Sequence, residues 1–370
     1  MSSTLQQSPN AVPSAAGRAP DRGPRLQHTT TQALRTVLPL VVLLVALALY
    51  TDSQNPAFIR SGNIENILVQ VAVLGILAAG QTFLLIGGQM DLSVGSLVSL
   101  VAVLAAKQFD AGWSTPAVVI FALALGALVG LVWGLVVAYL DVPPFILTLG
   151  GLSVLGSLAL VASNNVPIRV QDGLNSWGFG QWFGLRAPAV MLIVVLVLAG
   201  LLLHFTRFGR TTYALGSSRP TAFLAGVPVK RHLVLLFVGN STLAAFAGLV
   251  MMARLAAGDP RSGQGLELSV IAVTVLGGAA LAGGRGTMIG TAVGVLVFGT
   301  ISSSLTFLKV PGAYQSLVSG GILIVAVVVT AAADLRAARA TGVRGSAAWR
   351  GLLGPLTRPS RRTAPPAEGA

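Results

Sequence analysis

Polar side chains inside long apolar runs are the residues of this sequence that could do chemistry. The one acid among them is Asp91, and Ser93 follows it at the start of an apolar stretch. Asp and Ser satisfy free backbone N–H groups at helix starts, so we predict that this pair caps a helix. The remaining polar side chains are candidates for a solute pathway or for hydrogen bonds between helices. They are Gln81, Gln89, Ser96, Thr148 and Ser153.

The chain offers few groups for catalysis or metal binding. It has no cysteine, which excludes thiolate nucleophiles and Cys-based metal sites. Its three histidines, His28, His204 and His232, are too far apart in sequence to suggest a ligand cluster. The glycine-rich run 283–287 lacks the Lys-Ser/Thr pair of a phosphate-binding loop. We therefore expect no catalytic residue, metal or bound cofactor, and any ATP and Mg would be used by a partner subunit.

The composition indicates a protein that is solvated by lipid. Charged residues are 9% of the 370 residues, against about 25% in soluble proteins. A spanning helix needs about 20 mostly apolar residues, and ten charge-free stretches approach that length. The sequence therefore predicts an all-α integral membrane protein with about ten transmembrane helices. The stretches are 36–51, 66–90, 92–106, 116–140, 142–163, 187–203, 233–253, 268–284, 286–308 and 310–333.

Composition also divides the chain into three parts. Residues 34–333 hold the apolar stretches, whereas 1–33 and 334–370 are rich in Pro and Arg and are predicted to be disordered basic tails. Glycine-rich segments around Asp91 and 277–286 predict broken or re-entrant helices, and the four-residue spacing of Gly126, Gly130 and Gly134 predicts a helix face that packs closely against a neighbour. A weak repeat, in which Leu85-Ile86-Gly87-Gly88 resembles Val275-Leu276-Gly277-Gly278, suggests that spans 2–5 and 7–10 are inverted halves.

The distribution of charge predicts the orientation. If both tails and every second loop are cytoplasmic, 17 of the 24 basic residues lie inside, as the positive-inside rule requires. This places both termini in the cytoplasm. The net charge of +13 resides in tails and loops without an aromatic–basic face, so it sets topology and does not indicate nucleic-acid binding.

Two long loops are candidate interaction sites. The cytoplasmic loop 206–231 carries five basic residues, and its Pro220 and Gly226 bracket a helix of about six residues. It is either a charged connector or a docking helix for a cytoplasmic partner. The outer loop 164–186 is either an interfacial aromatic belt or a landing surface for an external delivery protein. Its candidate contacts are Asn164, Asn165, Trp177 and Trp182.

The near-absence of ionisable residues in the spans argues against proton coupling, because coupled carriers hold their coupling charge there. Sodium coupling through carbonyls and hydroxyls stays open. From these observations the chain is an ATP-driven permease, a stand-alone secondary carrier or channel for a small uncharged solute, or a non-transporting scaffold.

Four blocks of residues resemble the permease subunits of monosaccharide (ribose-type) ABC importers, in the superfamily shared with branched-chain amino acid permeases. The first joins Gly80-Gln81-Thr82 to Met90-Asp91-Leu92-Ser93-Val94-Gly95-Ser96. The others are Pro144–Gly150 with Asn165–Ile168, Phe208–Gly216 with Ala225–Val227, and Ile271–Gly278 with Gly283–Thr287 and Gly290-Thr291. The sequence departs from the family pattern at Gln89, Gly156-Ser157 and Pro220-Thr221-Ala222.

The resemblance implies a mechanism and partners. Two permease copies, identical or not, would enclose one pathway in the bacterial cytoplasmic membrane. Two cytoplasmic ATPase subunits would engage loop 206–231, and an extracytoplasmic sugar-binding protein would deliver the solute. The ATPase contact would be formed by Gly216, Thr221, Ala222 and Gly226. Because Gln89 is a departure, the identity of the sugar is left open.

Overall fold

The computed structural model describes residues 27–170 and 173–311, together with six single helical positions between 314 and 328. Thirteen helices and four two-residue strands account for most of this part of the chain. The first helices are α1 Gln27–Gln54, α2 Ser61–Gln70, α3 Ala72–Ile86, α4 Val94–Asp110, α5 Thr115–Leu140 and α6 Pro144–Ala162. After β1 Ile168–Arg169 come α7 Asn175–Gly178, β2 Gln181–Trp182 and β3 Leu185–Arg186. The remainder is α8 Ala187–Phe205, α9 Arg207–Ser217, α10 Arg219–Leu224, α11 Val229–Leu255, β4 Ala257–Gly258, α12 Leu266–Leu276 and α13 Met288–Phe307.

Six of the described helices are long and apolar enough to cross a membrane, or seven if the bent pair α2 and α3 counts as one span. The six are α1, α5, α6, α8, α11 and α13. Helices α4 and α12 are shorter, at 17 and 11 residues, because glycine-rich segments interrupt the chain beside each of them. Most of the predicted stretch 310–333 and both predicted tails, apart from the start of α1, lie outside the described residues. The membrane-embedded helical class is confirmed, and the count of ten stays a prediction.

Helices α5 and α11 are the most closely packed pair among the described helices. A Cβ added at Gly126 would lie 2.6 Å from the Ser241 carbonyl oxygen, and one at Gly130 would lie 2.5 Å from that of Phe237. A Cβ added at Gly134 would lie 2.7 Å from Val234 Cα. Small residues permit this approach of backbones in membranes, and the four-residue spacing places all three on one face. The predicted packing role of these glycines is confirmed.

Both predicted helix breaks are present. Helix α3 ends at Ile86 and α4 begins at Val94, while α12 ends at Leu276 and α13 begins at Met288. The two Gly-Gly pairs end their helices identically, with positive φ at Gly88 and Gly278 and 6→1 bonds from the next residue, Gln89 N to Leu84 O and Ala279 N to Thr274 O. Glycine suits this ending because it adopts positive φ without strain.

The repeated Gly-Gly motif does not support inverted halves. The segment that follows α12 lies against the end of α3, where Gly284 N donates to Ile86 O at 2.8 Å. Both motifs therefore end at the same side of the bundle. Inverted halves would put equivalent helix ends on opposite sides, so this pair of motifs relates helices of the same direction.

Helix α8 separates the two functional ends of the molecule. Its 19 residues span about 28 Å, from the segment 164–186 at its start to α9 and α10 at its end. We call these the 164–186 end and the α9–α10 end. At the former, β1 pairs with β4 and β2 pairs with β3, both antiparallel, which fixes the loop against the helices.

Candidate functional site

Asp91 lies at the centre of a buried hydrogen-bond network in the break between α3 and α4. Its side chain is 0% exposed. Oδ1 accepts from Ser93 N at 2.8 Å and from Ser93 Oγ at 2.6 Å, and Oδ2 accepts from Asn240 Nδ2 at 3.0 Å. The carboxylate thus satisfies a backbone N–H next to the start of α4 and ties the break to α11.

The prediction for Ser93 is wrong in one respect. Ser93 occupies the N-cap position of α4, but its side chain makes no capping bond. Its helical backbone angles and its donation to Asp91 turn the hydroxyl away from the α4 N–H groups. The same oxygen instead accepts from Trp133 Nε1 at 3.1 Å, which connects the break to α5.

Two further predicted polar residues fasten this break to α6. Thr148 Oγ1 accepts from Leu92 N at 3.1 Å and donates to Pro144 O. Ser96 Oγ donates to Leu152 O at 2.7 Å. An unpaired backbone group costs several kcal/mol in a membrane interior, so these bonds explain how a non-helical segment is tolerated there.

Other polar side chains are buried without complete hydrogen bonding. Among the described residues, no partner is present for either polar atom of the Gln81 amide, for Gln89 Oε1, for Asn240 Oδ1 or for Ser241 Oγ. Gln89 Nε2 donates to Gly88 O. Ser153 differs from this group because it lies on the exposed side of α6. Uncharged amides and hydroxyls of this kind can exchange hydrogen bonds with a polar solute but cannot supply a charge.

The α9–α10 end carries the predicted short helix. Helix α10 covers Arg219–Leu224 with Pro220 in its first turn, and Gly226 follows it with φ of 79°. The predicted helix is confirmed. Helix α9 was not predicted; its sequence signal is Thr206, whose hydroxyl accepts from Gly209 N as an N-cap.

Exposure divides the predicted docking residues. Thr221 and Gly226 are exposed, whereas Ala222 is only 3% exposed, so its side chain faces the permease and is not available to a partner. Gly216 also lies inward, against Ile86 and Gly284. The residues that do protrude from α10 are Phe223 and Leu224, at 70% and 84% exposed.

The surroundings of α10 are cationic. Five basic residues lie between 206 and 231, and the described part of the chain forms no ion pair with any of them. Lys230 stacks over the Tyr139 ring at 5.0 Å. The others are Arg207, Arg210, Arg219 and Arg231.

At the 164–186 end, the two predicted pairs occupy different environments. Asn164 and Asn165 are exposed in the left-handed turn that ends α6, with φ of 53° and 62°. Trp177 packs against the Phe246 ring with centroids 5.8 Å apart, and Trp182 packs against the same core. A cavity of about 410 Å³ opens beside them, lined by Val166, Pro167, Arg169, Leu255, Ala256 and Ala257.

Sequence reasoning missed the long-range partners of this site. Asn240, Trp133, Phe223 and Leu224 were not predicted as functional residues. No group of His, Asp or Glu within the described residues could hold a metal ion. The chemistry available to the described residues is therefore hydrogen bonding inside the bundle and apolar contact at α10.

Comparisons with known proteins identify the family of the chain. The profile of the family described as "Branched-chain amino acid transport system / permease component" matches residues 63–327. The ribose import permease protein RbsC of Bacillus subtilis (strain 168) is 36% identical over 299 residues, 80% of this chain and 92% of that protein.

Two further relatives have different names. The L-arabinose ABC transporter permease protein AraH of Azospirillum brasilense is 36% identical over 292 residues, 79% of this chain and 85% of its own. The xylose transport system permease protein XylH of Haemophilus influenzae is 30% identical and covers 80% of this chain and 95% of its own. No solved structure matches significantly. With a profile match over most of its length and relatives at this identity, the chain belongs to the family of branched-chain amino acid transport system permease components.

Proposed function

We propose that this protein is the transmembrane permease subunit of an ABC importer for a monosaccharide. The relatives' names specify ribose, L-arabinose and xylose, which are all uncharged pentoses. The uncharged polar groups buried in the bundle suit such a solute. A separate ATPase subunit supplies the energy from ATP and Mg, and an extracytoplasmic binding protein delivers the sugar.

The proposed topology has ten spans, with both termini and the α9–α10 end in the cytoplasm of a bacterial cell. A second permease copy, identical or not, completes the pathway. The concentration of basic residues at the α9–α10 end supports this orientation, because cytoplasmic loops of membrane proteins carry an excess of Lys and Arg. Inverted halves made of spans 2–5 and 7–10 are not part of this proposal, because the two Gly-Gly motifs that suggested them end helices of the same direction.

The observation that carries the proposal is the exposed apolar tip of α10. Phe223 and Leu224 protrude from a six-residue helix, and basic side chains surround it. An apolar tip of this kind fits a hydrophobic groove with an acidic rim on the ATPase. Thr221 and Gly226, which are exposed beside the tip, complete the contact. This replaces the buried Ala222 in the predicted docking set.

The test compares two exposed phenylalanines at opposite ends of the molecule. Phe223→Asp should abolish co-purification of the ATPase and sugar uptake, because it places a charge in an apolar groove. Phe183→Asp is the matched control, since Phe183 is 97% exposed at the 164–186 end. It should retain the ATPase, and any loss of uptake should appear only when sugar is delivered by the binding protein.

Two results would contradict the proposal. One is normal ATPase binding and uptake by Phe223→Asp at normal expression. The other is uptake by the purified chain alone in liposomes, driven by a gradient without ATP, which would identify a stand-alone carrier.

We also propose that Gln81 and Gln89 contact the sugar when the pathway opens, because their amides are buried without full hydrogen bonding. Gln81→Leu should raise KM for uptake by about 2- to 10-fold, the equivalent of one hydrogen bond, while ATPase binding stays normal. An unchanged KM would exclude Gln81 from the pathway.

A further inference from the structure

The C-terminal turn of α9 is wedged between the two helix breaks. A Cβ built on Gly216 would overlap the Ile86 carbonyl oxygen and lie 2.6 Å from Gly284 N. A Cβ built on Gly283 would lie 2.8 Å from Gly216 O and 3.0 Å from Gly88 Cα. We call these three segments, 86–88, 216–217 and 283–286, the glycine junction.

Hydrogen bonds tie the three segments of the junction together. Gly284 N donates to Ile86 O at 2.8 Å, which joins one break directly to the other. Tyr213 Oη, on α9, donates to Gly286 O at 2.7 Å. Positive φ at Gly88, Gly283 and Gly284 means that glycine suits all three positions for conformation. At Gly283 and Gly284 close approach requires it as well, because an added Cβ would lie 2.8 Å and 2.7 Å from the nearest atoms.

Helices α9 and α10 are connected too tightly to move independently. Only Ser218 separates them. Its N–H donates to Ala214 O at 3.2 Å, and its hydroxyl accepts from Thr221 N at 3.4 Å. When α10 moves, the end of α9 that contains Gly216 therefore moves with it.

We propose that the glycine junction is the point at which movement of α10 is transmitted to both helix breaks at once. Gly216 and Tyr213 act as positioning residues, because they touch neither the sugar nor ATP. This inference rests on the proposed function, in which an ATPase moves α10. Its physical basis is that tightly packed backbone contacts have discrete arrangements and do not deform continuously.

Gly216→Ala tests the junction directly. Alanine favours the helix in which Gly216 stands, so any loss must come from the close contacts. In the reconstituted complex, the ATPase should still bind and hydrolyse ATP, while sugar transported per ATP falls at least tenfold. Gly239→Ala is the matched control, because nothing lies within 4 Å of the added Cβ.

Tyr213→Phe covers the case in which Gly216→Ala fails to fold. It keeps the shape and removes only the bond to Gly286. Sugar transported per ATP should fall about fivefold, the equilibrium equivalent of one hydrogen bond. A lost scaffold contact would reduce yield instead and leave this ratio unchanged.

A measurement on the permease alone separates this inference from the proposed function. The chain has no cysteine, so Ala280→Cys introduces a single thiol in the turn beside the junction, where Ala280 is 2% exposed. Adding Gly216→Ala should raise its labelling rate at least tenfold, and adding Gly239→Ala should not. Unchanged labelling overturns the junction whether or not an ATPase binds. Increased labelling with an unchanged transport ratio shows that the junction seals the break without transmitting motion, and also overturns the proposal.

Discussion

Asp91 and Asn240 form a buried hydrogen-bonded pair, and the acid and the amide can be exchanged between the two positions. The stability of each single variant and of the double exchange can be ranked from which donor and acceptor atoms face one another. Asp91 Oδ1 accepts both bonds from Ser93, and Oδ2 accepts from Asn240 Nδ2. Asn240 Oδ1 has no partner among the described residues. Both oxygens of Asp91 therefore already accept hydrogen bonds, whereas the side-chain oxygen of Asn240 is available to accept one.

Asp91→Asn should be mild. The new amide oxygen can accept the Ser93 bonds, and its NH₂ then faces Asn240. Rotation of the Asn240 amide brings the unpartnered Oδ1 to this NH₂ without breaking another bond of that oxygen. The cost is the difference between charged and neutral hydrogen bonds, about 1 kcal/mol.

Asn240→Asp should be severe. It places two carboxylates in contact where the donor–acceptor distance is 3.0 Å. At an effective dielectric constant of about 20, two unit charges at this separation repel by about 5 kcal/mol. This is the upper limit of the loss, because one carboxyl of such a pair can take up a proton instead. The double exchange, Asp91→Asn with Asn240→Asp, restores a donor opposite an acceptor and should recover at least half of the loss. Recovery is incomplete because the second oxygen at position 240 faces Gly80 without a donor.

Thermal melting of the detergent-solubilised protein measures this order. In a background whose other four tryptophans are replaced by Phe, Trp133 fluorescence reports on the network directly, because Trp133 Nε1 donates to Ser93 Oγ. At about 2 °C per kcal/mol for a chain of this size, Asn240→Asp should melt up to about 10 °C lower than the unmodified protein. Asp110→Asn, at an exposed acid, is the matched control. Equal melting of the two single variants, or an exchange no better than Asn240→Asp, would refute the reasoning.

Three further predictions concern packing and titration. Gly130→Ala should lower the melting temperature measurably, because the added Cβ meets Phe237 O at 2.5 Å, whereas Gly150→Ala has nothing within 4 Å and should be neutral; overpacking of this kind costs about 1–3 kcal/mol. Thr82→Val and Thr291→Val should each destabilise by about 1 kcal/mol, and the double variant should be less destabilised than their sum, because the two hydroxyls share one bond of 2.7 Å. Burial raises the pKa of Tyr213 to about 12 from an ordinary 10.0, so the folded state retains this proton longer than the unfolded state. Its contribution to stability is present below pH 10 and lost as the pH rises through about 12; tyrosinate absorbance should show a late-titrating component that Tyr213→Phe removes.

Features set by neighbouring residues could be predicted from the sequence. Pro220 and Gly226 predicted a helix that the structure places at Arg219–Leu224, since proline favours a first turn and glycine ends helices. The breaks near Asp91 and 277–286 were predicted on the same local grounds. The spacing of Gly126, Gly130 and Gly134 likewise predicted a packing face.

Pairings across the chain could not be predicted in this way. Asp91 and Asn240 are separated by 149 residues, and nothing in the sequence near Asp91 indicates its partner. The same limit explains Ala222, whose burial depends on how α10 rests on the bundle. The repeated Gly-Gly motif does not indicate a repeated fold. It specifies only how a helix ends, and the same kind of helix ending can occur at unrelated places in one chain.

The two breaks share a property that links their structure to transport. Each contains a backbone N–H group that is satisfied by a group outside its own break: Leu92 N by Thr148, and Gly284 N by Ile86 O. Separating the segments leaves these groups unpaired, at several kcal/mol each if the site stays dry. Water that enters the opening removes most of this cost by hydrogen bonding to them. The breaks are therefore expected to open only when water enters the bundle. A hydrated, uncharged solute can pass under the same conditions.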